Sequence, residues 1–275
     1  MLASFLLSLR EGLEAALIIG IVLGALRQMR RMEMAPSIWY GAFSAILVSL
    51  VGGVILTAFG LSLEGAAEQT FEGVTMLLAA GVLTWMIFWM NRQARNIKGE
   101  LEGGVHKAAF EGGKRGLFAL AFLAVVREGI ELALFLAAAT FASDAQSTLL
   151  GALLGIGLAV LLGWGLFASS IHLNLRRFFQ VTGFLLILFA AGLVAHGVHE
   201  FNEAGLIPAV IEHVWNVNPI LDENATLGSI LKALFGYNGN PSLTEALSYF
   251  AYFAAIFIGL RLSERGTEAA VQPQV

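Results

Sequence analysis

The chain has 275 residues, of which 57% are hydrophobic and only 13% charged, and its mean hydropathy is +0.77. Soluble domains carry about 25% charged residues, so a soluble globular enzyme and a disordered chain are both excluded. With 16 basic against 20 acidic residues no basic stripe is left for nucleic acid, and the absence of cysteine excludes disulfides and thiolate metal sites.

A bilayer core of about 30 Å needs roughly 20 mostly apolar helical residues per crossing. Seven segments meet that need, at about 2–26, 36–60, 70–91, 116–141, 148–171, 178–199 and 244–261. The expectation is an all-α, polytopic membrane protein of seven transmembrane helices, forming a single domain over 1–275 in contact with the lipid bilayer. The first segment is not a cleaved signal, because Arg10, Glu11 and Glu14 lie inside its apolar run. Residues 92–115 are charged, with Gly103-Gly104 and Gly112-Gly113 as breakers, and read as a loop containing a hinged helix. Residues 200–243 form a second long loop, in which 227–237 is apolar enough to lie at the interface or partly re-enter. Asn240-Pro241 ends it, and Ser242 to Glu245 reads as a capping box opening the last span. Trp85 and Trp89 read as members of an interfacial aromatic belt.

Lysine and arginine set the orientation. Thirteen of the sixteen follow spans 1, 3, 5 and 7, only Lys232 lies on the other side, and Arg10 and Arg127 fall within spans. This alternation predicts an outer N-terminus, a cytoplasmic loop 92–115, an outer loop 200–243 and a short cytoplasmic tail. Ten acids, among them Glu64, Glu68, Glu72, Glu200, Glu203, Glu223 and Glu245, fall on the outer side and would draw cations toward it.

An internal repeat stands out at an offset of 117 residues: L-R-E-G-L-E-A-A-L at 9–17 and V-R-E-G-I-E-L-A-L at 126–134. Ala79-Ala80-Gly81 and Ala190-Ala191-Gly192 echo each other more weakly. Residues 1–91 and 116–199 therefore read as two three-helix repeats followed by a seventh helix. An odd number of spans per unit inverts the second copy, the 3+3 inverted-topology plan of many transporters.

The repeat carries charge where charge is costly. Each central arginine or acid costs about 2.5–3.5 kcal/mol on insertion scales, so Arg10, Glu11, Glu14, Arg127, Glu128 and Glu131 need partners. Arg10 with Glu14 and Arg127 with Glu131 are four apart and can pair along one helix face. Gly12 and Gly129 would let spans 1 and 4 approach. Four carboxylates and two guanidiniums leave a formal charge of −2, which a divalent cation would neutralise. All-oxygen ligation suits a hard cation, without choosing iron over manganese, calcium or magnesium. Two further groups read as a possible capture site at the outer entrance: Glu68 with Glu72, and His196, His199, Glu200 and Glu203, three or four apart on one face.

At these residues the chain resembles the oxidase-dependent iron permeases, most closely their bacterial EfeU-type branch. The two R-E-G-[LI]-E motifs carry the resemblance, with Phe71-Glu72-Gly73, the run from Leu83-Thr84-Trp85-Met86 to Trp89-Met90, Ala190-Ala191-Gly192-Leu193, Glu203-Ala204-Gly205-Leu206 and Leu234-Phe235-Gly236-Tyr237 in support. The resemblance implies iron import across the bacterial cytoplasmic membrane, with Glu11, Glu14, Glu128 and Glu131 as metal ligands along the path. It also implies iron as transported substrate with no permanently bound cofactor, and an extracytoplasmic protein that oxidises or delivers iron. A transporter of another divalent cation or of protons would use the same carboxylates. A membrane enzyme with a di-metal site fits poorly, because such helical sites use Glu-x-x-His pairs and both core motifs end in glutamate. Iron valence, driving force and oligomeric state are not written in the sequence.

Overall fold

The computed structural model describes residues 1–93, 103–168, 175–223 and 225–271. Arg95 and Lys98 of the loop expected at 92–115, and most of that loop before Gly103, lie outside them. Among the described residues the protein is all-helical, with no strand. The long elements are α1 (Leu2–Gln28), α2 (Ala35–Leu61), α3 (Ala66–Gln93), α4 (Gly113–Ala142), α5 (Ala145–Ala168), α6 (Leu175–Glu203) and, after the short α7 (Thr226–Phe235), α8 (Leu243–Val271). Helix is the outcome that physics favours, since a backbone without water must satisfy its polar groups within its own segment.

Among the described residues five stretches are long and apolar enough to cross a membrane: Met32–Leu61, Ala66–Trp89, Ala145–Leu166, Arg177–Glu203 and Leu243–Leu262. Helices α1 and α4, of 27 and 30 residues, are as long, but each carries the charged motif. Between α4 and α5 the chain turns tightly: Asp144 Oδ2 accepts the Ser147 N–H at 2.8 Å, which holds this carboxyl below its usual range.

Helix α2 packs on α4, α1 on α5, α3 on α6, and α1 also meets α4. Small residues set these approaches, and they do so in matched pairs. A Cβ on Gly41 would stand 2.5 Å from the Phe118 carbonyl, and Gly151 backs onto the carbonyl of Met1. Gly129 faces Ser49, while a Cβ on Gly12 would stand 2.7 Å from that of Ala159. Gly53 faces Ala133, and Gly163 faces Ala16. Every pair maps onto its mate by 117 residues between α1 and α4 and by 110 between α2 and α5. The sequence reading had Gly12 and Gly129 opening a contact between α1 and α4. They open α1 to α5 and α4 to α2 instead, because each glycine lies on the helix flank away from the acids.

Two apolar layers flank the charged motifs. One gathers Leu7, Met76, Leu83, Phe135, Leu186 and Leu193; the other gathers Val22, Leu26, Ile38, Leu117 and, from the segment before α4, Val105 and Ala109. That segment is helical from 103, ends in a π turn at Ala108–Gly112 and passes into α4 through Gly113 at φ 56°. Helix α7 seats its end on α6: Gly236, left-handed at φ 65°, lies against Gly192, where a side chain on either would collide with the other's backbone. The re-entrant-capable stretch is thus a short helix docked on α6. Helix α8 ties to α3 through the hydroxyls of Tyr252 and Thr84, 2.8 Å apart.

Candidate cation site

The repeat brings its acids together where α1 crosses α4. Glu11, Glu128 and Glu131 are all buried, and each offers a carboxylate oxygen within 4.8 Å of the others. Among the described residues this is the only group of three or more acidic or histidine side chains whose ligand atoms converge so closely. Neither oxygen of Glu11 has a hydrogen-bond partner, and neither Glu128 nor Glu131 has one at Oε2. Buried carboxylate oxygens are costly without a donor, so these atoms form a concave, anionic arrangement that a cation would satisfy.

Glu14, the fourth acid of the sequence reading, is not one of the converging three. It sits one turn along α1 and pairs with Arg10, Nη2 to Oε1 at 3.2 Å. Arg10 is 1% exposed, lies 3.6 Å from Glu11, and donates through Nη1 to the thioether of Met86 at 3.1 Å. In the second motif the same i to i+4 spacing gives a donated bond from Arg127 Nε to Glu131 Oε1 at 3.0 Å, with Glu128 at 4.0 Å. The two arginines part company there. Arg127 is 39% exposed and lies over aromatic rings, with its guanidinium carbon 4.7 Å from the Trp89 centroid and 5.6 Å from that of Trp85. Their sequence positions place those tryptophans in the interfacial belt, and Met86 figures there only as part of the family-like segment with Trp85. Helical periodicity could have set all three on one stretch of α3, but not against which neighbour.

The outer candidates form a network of a different kind. His199 Nε2 lies 3.2 Å from Glu203 Oε1, and its Nδ1 lies 3.4 Å from Glu245 Oε2. Asn238 Nδ2 donates to both oxygens of Glu245, at 2.9 and 3.1 Å, and Gln69 Nε2 donates to Glu203 at 3.1 Å. His196 turns to the Gly192 carbonyl, 3.2 Å from its Nδ1. Glu72 lies within electrostatic range of Glu68, Glu200 and Glu203. His199 therefore bridges two acids through opposite ring nitrogens instead of aiming with them at one point. Glu245 was read as the second half of a capping box. Ser242 Oγ does accept the Glu245 N–H at 3.2 Å, but the Glu245 side chain goes to His199 and Asn238.

The chain matches the model of the "Iron permease FTR1 family" over residues 1–270. It is 34% identical over 272 residues to the ferrous iron permease EfeU of Shigella sonnei, covering 98% of this chain and 99% of that one. The ferrous iron permease EfeU of Escherichia coli O157:H7 is equally similar. The ferrous iron permease EfeU of Yersinia pestis is 32% identical over 269 residues, covering 97% of this chain and 95% of its own. No solved structure matches the chain.

Proposed function

The chain belongs to the iron permease FTR1 family and is a multi-pass membrane protein, and from that premise we propose that it imports ferrous iron across the cytoplasmic membrane through the Glu11–Glu128–Glu131 site. One observation carries the reading: three buried carboxylates converge within 4.8 Å, with oxygens left without donors, where two copies of one motif cross. Divalent iron neutralises the surplus charge of four acids and two arginines. The names of the relatives favour ferrous iron over the other hard cations that such a site would accept.

Architecture and orientation belong to the same proposal. Helices α1 and α4 cross the membrane with the five apolar helices, and α1–α3 relate to α4–α6 as inverted repeats, with α8 added. The glycine contacts matched at 117 and 110 residues support this reading. So does the pairing of α1 with α5 and α2 with α4, which an exchange of the two repeats leaves unchanged. The N-terminus faces outward and the tail faces the cytoplasm. Glu68, Glu72, Glu200 and Glu203 gather cations at the outer mouth, where a partner protein oxidises or delivers iron.

The test is uptake by proteoliposomes of the purified chain, comparing Fe²⁺, Fe³⁺ and Mn²⁺ with and without a proton gradient. Selective entry of Fe²⁺ is expected. Entry of manganese at an equal rate would overturn the assignment to iron.

A further inference from the structure

The two motifs have the same sequence logic, yet their arginines stand in different surroundings. Arg10 is pinned: its nitrogens reach Glu11, Glu14 and the Met86 sulfur, and the side chain is 1% exposed. Arg127 holds Glu131 through one hydrogen bond, has Glu128 at 4.0 Å, is 39% exposed, and has two indoles within 6 Å of its guanidinium carbon. Those indoles are themselves stacked, with centroids 6.4 Å apart and planes 28° apart. Glu131 is at once the partner of Arg127 and one of the three converging acids.

A cation settling among Glu11, Glu128 and Glu131 draws on the same carboxylate that Arg127 holds, and it repels the guanidinium. In a region of low dielectric an arginine released from its carboxylate needs another favourable surface. A tryptophan face supplies one by cation–π attraction. Being uncharged, it does so without competing for the metal, which a further carboxylate would. We propose that Trp85 and Trp89 are positioning residues that take up the Arg127 guanidinium as the cation displaces it from Glu131, so that Arg127 is a movable counter-charge and Arg10 a fixed one. The inference rests on the carboxylate site proposed above.

The experiment measures Fe²⁺ uptake kinetics in proteoliposomes of the full chain at matched protein content. Without the ring Arg127 stays on Glu131, so Trp89→Leu should raise KM by about fivefold to thirtyfold, the span from an exposed to a desolvated cation–π contact, and leave kcat within about twofold. Trp85→Leu, the more distant ring, should raise KM less. Trp89→Phe keeps a π face and should restore most of the loss. In an Arg127→Gln background Trp89→Leu should add no further shift. Equal losses in Trp89→Leu and Trp89→Phe would overturn the proposal, a comparison that needs no arginine variant. So would a Trp89→Leu effect that persists undiminished without Arg127. Glu131→Gln run alongside separates the two readings. If it loses uptake while the two Trp89 variants behave alike, only the tryptophan role falls; if it keeps full uptake, the carboxylate reading falls and takes this one with it.

Discussion

Glu11 is 1% exposed and accepts no hydrogen bond, an arrangement that folding alone would not favour. An outer-shell partner of a metal site is worth about 10–100-fold in affinity or activity. Losing a ligand from the site should cost at least as much, so Glu11→Gln, Glu128→Gln and Glu131→Gln should each cut radio-iron uptake by more than about tenfold at unchanged abundance. Glu14, held by Arg10 outside the converging three, should show a smaller loss. Glu64→Gln should stay near normal, because long-range attraction from an exposed acid is screened within about 8 Å. Glu223 does not suit the same comparison, because its Oε2 accepts the Gly239 N–H at 3.0 Å and fastens the outer loop. The arginines should separate as well. Removing one partner of a buried pair costs about 3–5 kcal/mol, so Arg10→Met should lose most folded protein. Arg127→Met, at a half-exposed site, should keep far more. Size-exclusion profiles of the two variants check this, and equal abundance would count against a fixed role for Arg10.

At the scale of elements, hydrophobic runs and their flanking charges locate most of the long helices to within a few residues, although α8 runs to Val271, ten residues past the span expected at 244–261. The span expected at 36–60 is Ala35–Leu61, and that expected at 116–141 is Gly113–Ala142. Spacing within one helix was enough to pair Arg10 with Glu14 and Arg127 with Glu131. It is silent about which helix lies opposite, which is why it gives Gly12 and Gly129 the wrong neighbours and does not bring Trp85 and Trp89 to Arg127 or Met86 to Arg10. Glu245 shows the same limit. Its backbone role was legible in the four residues from Ser242, while its side-chain role depends on His199, distant in sequence. The glycine contacts allow a test by exchange. Gly12→Ala forces a methyl against Ala159, an overpacking that costs about 1–3 kcal/mol. It should lower the melting midpoint in detergent, and Ala159→Gly in the same chain should restore it. Failure of the second change to compensate would mean that α1 and α5 do not meet there.

For the whole molecule, a chain with no cysteine is a ready background for topology. A single cysteine at Glu64 should react with a membrane-impermeant thiol reagent added to intact cells. One at Lys107 should react only after the membrane is opened. The reverse pattern would invert the orientation read from lysine and arginine. That orientation rests on a charge bias that is nearly complete. The docking of α7 on α6 through Gly236 and Gly192 was not, since it is a contact between distant glycines that carry no hydropathy signal.

The acids lie between two closed apolar layers, with Leu7 and Phe135 a turn away on one side and Val22, Leu117 and Val105 on the other. Among the described residues these side chains are fully buried, and a partly dehydrated ion cannot slip through packed hydrocarbon. Each passage must therefore wait for one layer to part and then for the other, a rearrangement of packed helices on microsecond to millisecond or slower timescales. On the proposed function, two such layers make the molecule a carrier and not a pore. Its flux should level off as iron rises, fall steeply on cooling, and never show the unitary currents of an open conduit.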